Sequence, residues 1–240
     1  MILVIEHVKV EGPGTIESYL KKKRVPIKTI ALYDQQKFPK DFSGIEAVIS
    51  MGGPMNVYEE DKFLFLKDEN VFIKKVLDDE IPFLGVCLGS QLLAKACGAR
   101  VIKSPVKEVG WFKVRLTREG RADELFKNVD GTFDVYHWHE DMWELPESGT
   151  LLAASDSCPH QAFKIGKNAY GVQFHVEVTG EIIADWCGAY FKSKDAEKKK
   201  KAKDMIDVYK DKEVSFLKRA DVIYDNFMRI IGQRKLLAAR

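Results

Sequence analysis

The run Gly85-Val86-Cys87-Leu88-Gly89 constrains the fold of this chain more than any other segment. The preceding residues, 81–84, form a short apolar run broken by a proline, which favours a buried strand over a helix. Residues 90–97 are rich in helix formers and are followed by Gly98, a residue type that often ends helices. A strand, a glycine-flanked turn and a helix form the layout of a nucleophile elbow, whose central residue is held in a strained conformation.

Cys87 therefore has two interpretations. At a helix N-terminus, unpaired N–H groups and the positive end of the helix dipole favour a reactive thiolate. The alternative is a buried structural cysteine, which most free cysteines are. The other cysteines, at positions 97, 158 and 187, are too widely spaced for a zinc motif or a disulfide framework. We therefore expect free thiols and a reducing, cytoplasmic setting.

A second segment, Gly171-Val172-Gln173-Phe174-His175-Val176-Glu177, begins as an alternating strand. Because residues two apart in an extended chain point to the same side, His175 and Glu177 can face one way. A cysteine nucleophile needs a base, and the base needs an acceptor that fixes its tautomer. Cys87, His175 and Glu177 can fill these three roles. The alternative for His175 is an ordinary histidine at a strand end.

A third segment places Gly52-Gly53-Pro54 directly after the apolar run at residues 47–51, which is predicted to be a strand. Paired glycines after a strand leave backbone N–H groups unobstructed by side chains, as an oxyanion hole requires. Taken alone, most Gly-Gly-Pro sequences are simply turns.

The three segments together resemble the class I, triad-type glutamine amidotransferases, and in particular the glutaminase domain of GMP synthases. That family has a Gly-Gly-Pro loop, a Gly-x-Cys-x-Gly-x-Gln elbow and a Gly-x-Gln-Phe-His-Pro-Glu strand end. The matching residues here lie at 51–55, 85–91 and 171–177, and the resemblance covers about residues 1–190. Two positions depart from the family pattern: Val176 stands where proline is usual, and Ser90 where many members have histidine.

The resemblance implies a role for each matched residue. Cys87 would be the nucleophile, His175 the base and Glu177 the residue that orients the imidazole. The implied oxyanion donors are the N–H groups of Gly53 and Leu88, and the implied substrate contacts are Gln91, Trp138 and His139.

The segment at residues 135–141 contains His137 and His139, which on a strand would share a side and could chelate a metal. The sequence nearby offers no evident third ligand, so we expect no metal and no cofactor. The resemblance offers another account, because class I amidotransferases have a His-x-Asp motif here whose backbone helps to hold the amino-acid end of the substrate. Trp138 and His139 then become substrate contacts. For Trp138, packing on the core is an equally good interpretation.

Alternating strands and helices predict an α/β fold, a doubly wound and mostly parallel sheet flanked by helices. Strands are predicted at residues 2–5, 27–32, 45–50 and 81–84, and helices at 14–24, 64–80, 90–97 and 179–191. After Gly98 shorter, antiparallel-looking strands follow, at 110–116, 132–136, 151–155, 161–165 and 169–174. The three motifs lie at strand ends, where the carboxyl edge of such a sheet forms a ligand crevice.

We divide the chain into a domain at residues 1–191 and a lysine-rich helical extension at 192–240. The lysines of residues 192–203 fit a solvated helix or linker better than a basic docking patch. Beyond them, apolar residues recur at helical spacing, which predicts one or two amphipathic helices. These helices could cap the domain, form a dimer contact or receive a partner.

The composition narrows the classes of partner. The net charge of +2 does not call for nucleic acid or an anionic membrane surface, and no apolar run reaches membrane-spanning length. We therefore expect a small-molecule substrate, glutamine or another γ-glutamyl compound. The alternatives are a glutaminase subunit that supplies ammonia to a separate synthase, a stand-alone γ-glutamyl hydrolase or transferase, and a non-catalytic binding or regulatory protein.

Overall fold

Nine strands form one sheet with helices on both of its faces in the computed structural model, which describes residues 1–191 and 195–238. The strands are β1 (Ile2–Glu6), β2 (Ile27–Ala31), β3 (Ala47–Ser50), β4 (Phe83–Val86), β5 (Val101–Leu116), β6 (Thr132–Trp143), β7 (Gly149–Ala154), β8 (Ala162–Ile165) and β9 (Ala169–Val172). The α-helices are α1 (Thr15–Lys22), α2 (Phe65–Asp78), α3 (Leu88–Ala96), α4 (Arg118–Ala122), α5 (Gly180–Tyr190) and α6 (Ala196–Ala238). Short 3₁₀ helices span Leu32–Asp34 and Glu124–Phe126.

The strand order across the sheet is β2-β1-β3-β4-β9-β8-β7-β5-β6. The first five strands in this order pair in parallel, and the remaining neighbours pair antiparallel. The α/β fold predicted from the sequence is confirmed, including the change to antiparallel strands after Gly98. Because β1, β3, β4 and β9 are adjacent and parallel, the loops that follow them meet at one edge of the sheet.

Each face of the sheet carries its own apolar core, as the side-chain alternation in β1 shows. Ile2 and Val4 pack into a core shared with α1, α5 and α6, while Leu3 and Ile5 pack into a core shared with α2 and α3. Strands buried on both faces have nearly continuous apolar sequences, and all four of these residues are almost inaccessible. This two-sided burial fixes the strand ends that carry the candidate site.

The hairpin of β5 and β6 is longer than the predicted strands. The sequence predicted strands at 110–116 and 132–136, whereas β5 begins at Val101 and β6 continues to Trp143. Residues 101–107 contain a proline and three mostly exposed polar residues, and the register shifts between Lys103 and Glu108, so the pattern of alternation is broken there. Because β6 continues to Trp143, His137 and His139 lie within this strand and not beyond its end.

The extension forms one helix, α6, of 43 residues. It packs against α1, α5, β5 and the second 3₁₀ helix, and its apolar side chains join the same core as β1. The lysines at 192 and 194 lie outside the described residues; in α6, Lys200 pairs with Asp204 at 2.7 Å and Lys203 with Asp207 at 2.5 Å. Neither α6 nor any other helix in the described part of the chain is long and apolar enough to cross a membrane.

Candidate active site

Cys87 lies at the turn between β4 and α3, with φ 50° and ψ −106°. This left-handed conformation is strained for a residue with a side chain, at a cost of about 1–3 kcal/mol. The flanking glycines leave room for the turn: a Cβ on Gly85 would lie 2.4 Å from the Gly89 carbonyl oxygen, and one on Gly89 would lie 2.2 Å from the Ser50 carbonyl oxygen. The structure thus has the strand–turn–helix arrangement predicted for the elbow.

His175 and Glu177 follow β9, the strand beside β4, and the structure joins them. His175 Nδ1 lies 2.6 Å from Glu177 Oε1, and both side chains are almost fully buried. An isolated antiparallel bridge to Tyr136 of β6 holds the main chain of His175, with hydrogen bonds of 2.8 and 3.3 Å. This bridge fixes the imidazole at the sheet edge where Cys87 lies.

The electrostatics of His175 favour its charged form. Burial opposes the imidazolium, but the carboxylate of Glu177 and the neighbouring Cys87 together raise the pKa of His175 well above its ordinary value. The nitrogen Nε2 is buried and makes no hydrogen bond within the described residues, so it is free to exchange a proton at the Cys87 side. A base with a raised pKa retains the proton that it takes from a thiol.

Val176, the departure from the family proline, has a specific contact. Its N–H donates a hydrogen bond of 2.9 Å to Glu177 Oε2. Proline has no N–H and could not make this bond. In this chain the Glu177 carboxylate is therefore held at one oxygen by His175 and at the other by the backbone of Val176.

The N–H groups of Gly53 and Leu88 have no hydrogen-bond acceptor within residues 1–191 and 195–238. Leu88 begins α3, where the first N–H groups of a helix are always unpaired within it. Gly53 lines the same cavity as Cys87. A Cβ on the preceding Gly52 would lie 2.6 Å from Glu11 Oε2 and 3.2 Å from His175 Cε1, so the loop at Gly52 and Gly53 closely approaches the side chains of Glu11 and His175.

A cavity of about 690 Å³ opens in front of Cys87. Among the residues that line it are all three predicted substrate contacts, Gln91, Trp138 and His139. The Gln91 side-chain nitrogen donates to the Asp141 carbonyl oxygen at 3.2 Å, and the Trp138 carbonyl oxygen lies 4.0 Å from Cys87 Sγ. The ring of Trp138 also contacts the aromatic side chains of α5 and Phe191. Trp138 therefore both lines the cavity, as a substrate contact would, and packs on the core.

The structure places Glu108 beside His137 and His139, where the sequence showed no third ligand. One ligand atom from each of the three lies within 4.8 Å of the others, a grouping able to hold a metal ion. However, both oxygens of Glu108 already accept hydrogen bonds, from His139, Gln161, Ser155 and Ser157. Burial opposes ionisation of Glu108, but His139 and Ser157 lower its pKa to about 2. The arrangement is thus a hydrogen-bonded support for His139, and a metal would have to displace it.

Sequence reasoning missed two further residues at this site. Glu11, in the loop after β1, lines the cavity and accepts a hydrogen bond from Tyr190. Burial raises the pKa of Glu11, only partly offset by Tyr190 and His175. Gln173, within the recognised strand-end segment, lies with its Nε2 3.6 Å from Cys87 Sγ. The position of Gln173 in the motif could have indicated it, whereas no periodicity or spacing indicates Glu11.

Comparison with known proteins gives the family. The sequence model of glutamine amidotransferase class I matches residues 14–183. A putative glutamine amidotransferase-like protein, YfeJ, of Salmonella typhimurium is 30% identical over 182 residues, which cover 75% of this chain and 76% of that protein. A glutamine-hydrolysing GMP synthase of Thermosipho africanus is 36% identical over 165 residues, 67% of this chain but only 30% of the synthase.

The solved structures agree with the sequence comparison. A glutamine amidotransferase of Thermotoga maritima superposes with a TM-score of 0.86 at 32% identity, covering 96% of this chain and 97% of that one. The resemblance inferred from the three motifs is therefore confirmed, and the chain belongs to the class I glutamine amidotransferase family.

Proposed function

We propose that the protein hydrolyses the side-chain amide of glutamine through a thioester on Cys87. The observation that carries this proposal is the buried pair of His175 and Glu177, 2.6 Å apart, beside a cysteine at a strained elbow. This pair supplies a base with a fixed tautomer, and the elbow presents a thiol at a helix N-terminus. Together they form the three-part arrangement that nucleophilic amide hydrolysis requires.

The first half of the reaction forms the thioester. His175 takes the proton of Cys87, and the thiolate attacks the side-chain carbonyl carbon of glutamine. The N–H groups of Gly53 and Leu88, which have no acceptor among the described residues, stabilise the negative oxygen of the tetrahedral intermediate. The imidazolium then gives its proton to the departing nitrogen, so that ammonia leaves and the γ-glutamyl thioester remains.

The second half releases the product. His175 takes a proton from a water molecule, which attacks the thioester, and the second tetrahedral intermediate collapses to glutamate and the regenerated Cys87. Glu177 orients the imidazole and stabilises its charged form in both halves. Gln91, Trp138 and His139, which line the cavity, position the amino-acid end of the substrate.

The fate of the ammonia defines the role in the cell. The match to glutamine-hydrolysing GMP synthases supports transfer of ammonia to a separate acceptor enzyme. A second candidate is hydrolysis of a larger γ-glutamyl compound, because the 690 Å³ cavity lies in the size range of sites for drug-sized ligands. In either role a thiolate enzyme works in a reducing compartment, and we place it in the cytoplasm.

A substrate panel tests the proposal on the purified chain. Glutamine, γ-glutamyl methylamide and γ-glutamyl dipeptides are assayed for release of ammonia or amine, with Cys87→Ser as the inactive control. We expect turnover of at least one substrate by the wild-type chain and none by Cys87→Ser. Preference for glutamine supports the glutaminase role, and preference for a dipeptide supports the hydrolase role. Failure of every substrate, with no thioester trapped on Cys87, would refute both.

A further inference from the structure

Three buried polar side chains other than those of Cys87, His175 and Glu177 support the loop that contains Gly52 and Gly53. His7, just after β1, lies with Nδ1 3.0 Å from the Gly52 carbonyl oxygen and Nε2 2.8 Å from Glu69 Oε2 of α2. The other carboxylate oxygen of Glu69 accepts a hydrogen bond of 2.7 Å from the Ser50 hydroxyl at the end of β3. The side chains of His7, Glu69 and Ser50 are fully buried, and none of them lines the cavity in front of Cys87.

The contacts of His7 define its protonation. Both of its nitrogens face acceptors, a backbone carbonyl and a carboxylate, so both must carry hydrogen for both bonds to form. Burial opposes this charged form, but Glu69 and the Gly52 carbonyl raise the pKa of His7 above its ordinary value. His7 is thus an imidazolium that donates one hydrogen bond to Gly52 and one to Glu69.

The hydrogen bond to Gly52 determines where the next N–H points. The Gly52 carbonyl and the Gly53 N–H belong to the same planar peptide group, and in a trans peptide these two bonds point in opposite directions. With the carbonyl directed at His7, the N–H of Gly53 is directed away from it, on the side of the cavity that Gly53 lines together with Cys87. A peptide between two glycines has few steric restraints of its own, so an external contact is needed to hold it.

We propose that His7, Glu69 and Ser50 form a clamp that orients the Gly52–Gly53 peptide and thereby presents the Gly53 N–H to the oxyanion. His7 is then a positioning residue, which acts through the peptide and does not touch the substrate. Its positive charge also polarises the peptide in the sense that strengthens the N–H as a donor. This inference rests on the proposed amide hydrolysis, because the oxyanion forms only in that reaction.

Two substitutions separate the contacts of His7. In His7→Asn the side-chain amide can replace Nδ1 and still donate to the Gly52 carbonyl. In His7→Gln the longer side chain can replace Nε2, which preserves the contact with Glu69 and loses the one with Gly52. His160→Gln is the matched control, because His160 Nδ1 lies 2.8 Å from another backbone carbonyl, that of Trp143, away from the glycine loop.

The readouts are kcat and KM for the best substrate of the panel, and the inhibition constant of glutamate γ-semialdehyde. An aldehyde forms a tetrahedral adduct with Cys87 and so probes the oxyanion donors directly. Loss of one such donor typically lowers kcat by roughly 10²–10³-fold. We therefore expect His7→Gln to lower kcat by at least about 10-fold and by no more than the full loss of a donor. Aldehyde affinity should fall by the same factor, with KM nearly unchanged. His7→Asn should retain more of both, and His160→Gln should match the wild type.

The outcomes distinguish the clamp from the proposed function. A folded His7→Gln variant with wild-type kcat and aldehyde affinity would overturn the clamp while leaving amide hydrolysis intact. Equal losses in His7→Asn and His7→Gln would also overturn it, since a general structural role predicts them. If His7→Gln does not fold, Glu69→Gln, which removes the charge partner of His7, must show the same parallel loss. A wild-type chain that neither turns over any γ-glutamyl amide nor binds the aldehyde refutes the proposed function itself.

Discussion

The helix α6 offers the sharpest test of how the chain is stabilised. Eight of its large apolar side chains are at most 5% exposed and belong to the core that contains Ile2, Ile16 and Val86. The eight are Met205, Tyr209, Phe216, Ile223, Tyr224, Phe227, Ile230 and Ile231. Burial of each contributes about 1.5–3 kcal/mol, and a domain as a whole is stable by only about 5–15 kcal/mol. Deletion of residues 194–240 should therefore unfold the remaining chain.

Point variants give the magnitude without removing the helix. Phe227 is 3% exposed, and Phe227→Ala should cost about 3–5 kcal/mol. For a chain of this size that loss lowers Tm by roughly 6–20 °C. Val214→Ala is the matched control on the same helix, because Val214 is 84% exposed and its loss should change stability by at most about 0.5 kcal/mol.

Thermal melts followed by circular dichroism measure both variants, and size-exclusion chromatography shows the state of the truncated chain. The helix also reaches the site, since the Tyr224 hydroxyl donates to the Val176 carbonyl oxygen at 3.2 Å, between His175 and Glu177. Loss of α6 should therefore abolish activity as well. A truncated chain that stays folded with an unchanged Tm and changes only its oligomeric state would refute this reasoning, and would make α6 a docking element.

Three further predictions concern single residues. A glutamine-analogue electrophile should label Cys87 and spare the other cysteines. Burial raises the pKa of the Cys97 thiol, for example, to about 11, which disfavours its reactive thiolate. Peptide mapping that finds label on several cysteines would contradict this prediction. Glu177→Ala should retain slow turnover while Cys87→Ala retains essentially none, because an orienting residue acts only through the base; steady-state kinetics that show equal, complete loss would give Glu177 another role. Burial lowers the pKa of His137 to about 3, so its neutral form is favoured and stability falls as pH drops from its unfolded pKa of 6.5 towards 3. Between pH 7 and 5 this linkage lowers the free energy of unfolding by about 2 kcal/mol. In urea unfolding measured across this pH range, His137→Leu should lack that part of the decrease that the wild type shows.

Much of the elbow is local chemistry, and the sequence alone was enough to predict its form. The glycines at 85 and 89, a short apolar run and a helix-forming segment determine the strand, turn and helix around Cys87, because backbone conformation depends chiefly on neighbouring residues. The i, i+2 spacing of His175 and Glu177 likewise predicted that the two side chains face one way. The structure does bring them together, but in the bent segment that follows β9 and not in an extended strand.

The supporting contacts come from residues far apart in the chain, and only the tertiary structure decided them. Glu108 reaches His139 because the two residues are directly opposite each other on the paired strands β5 and β6, and His7 reaches Gly52 across 45 positions because β1 and β3 are adjacent. Neither contact leaves a periodic signal, since strand order and register depend on how the whole core is buried. The same holds for α6, whose apolar spacing predicted a helix but not the core in which it lies. The sequence by itself thus determined the candidate reactive groups and the local shape of the elbow, while the tertiary structure decided what holds them in place.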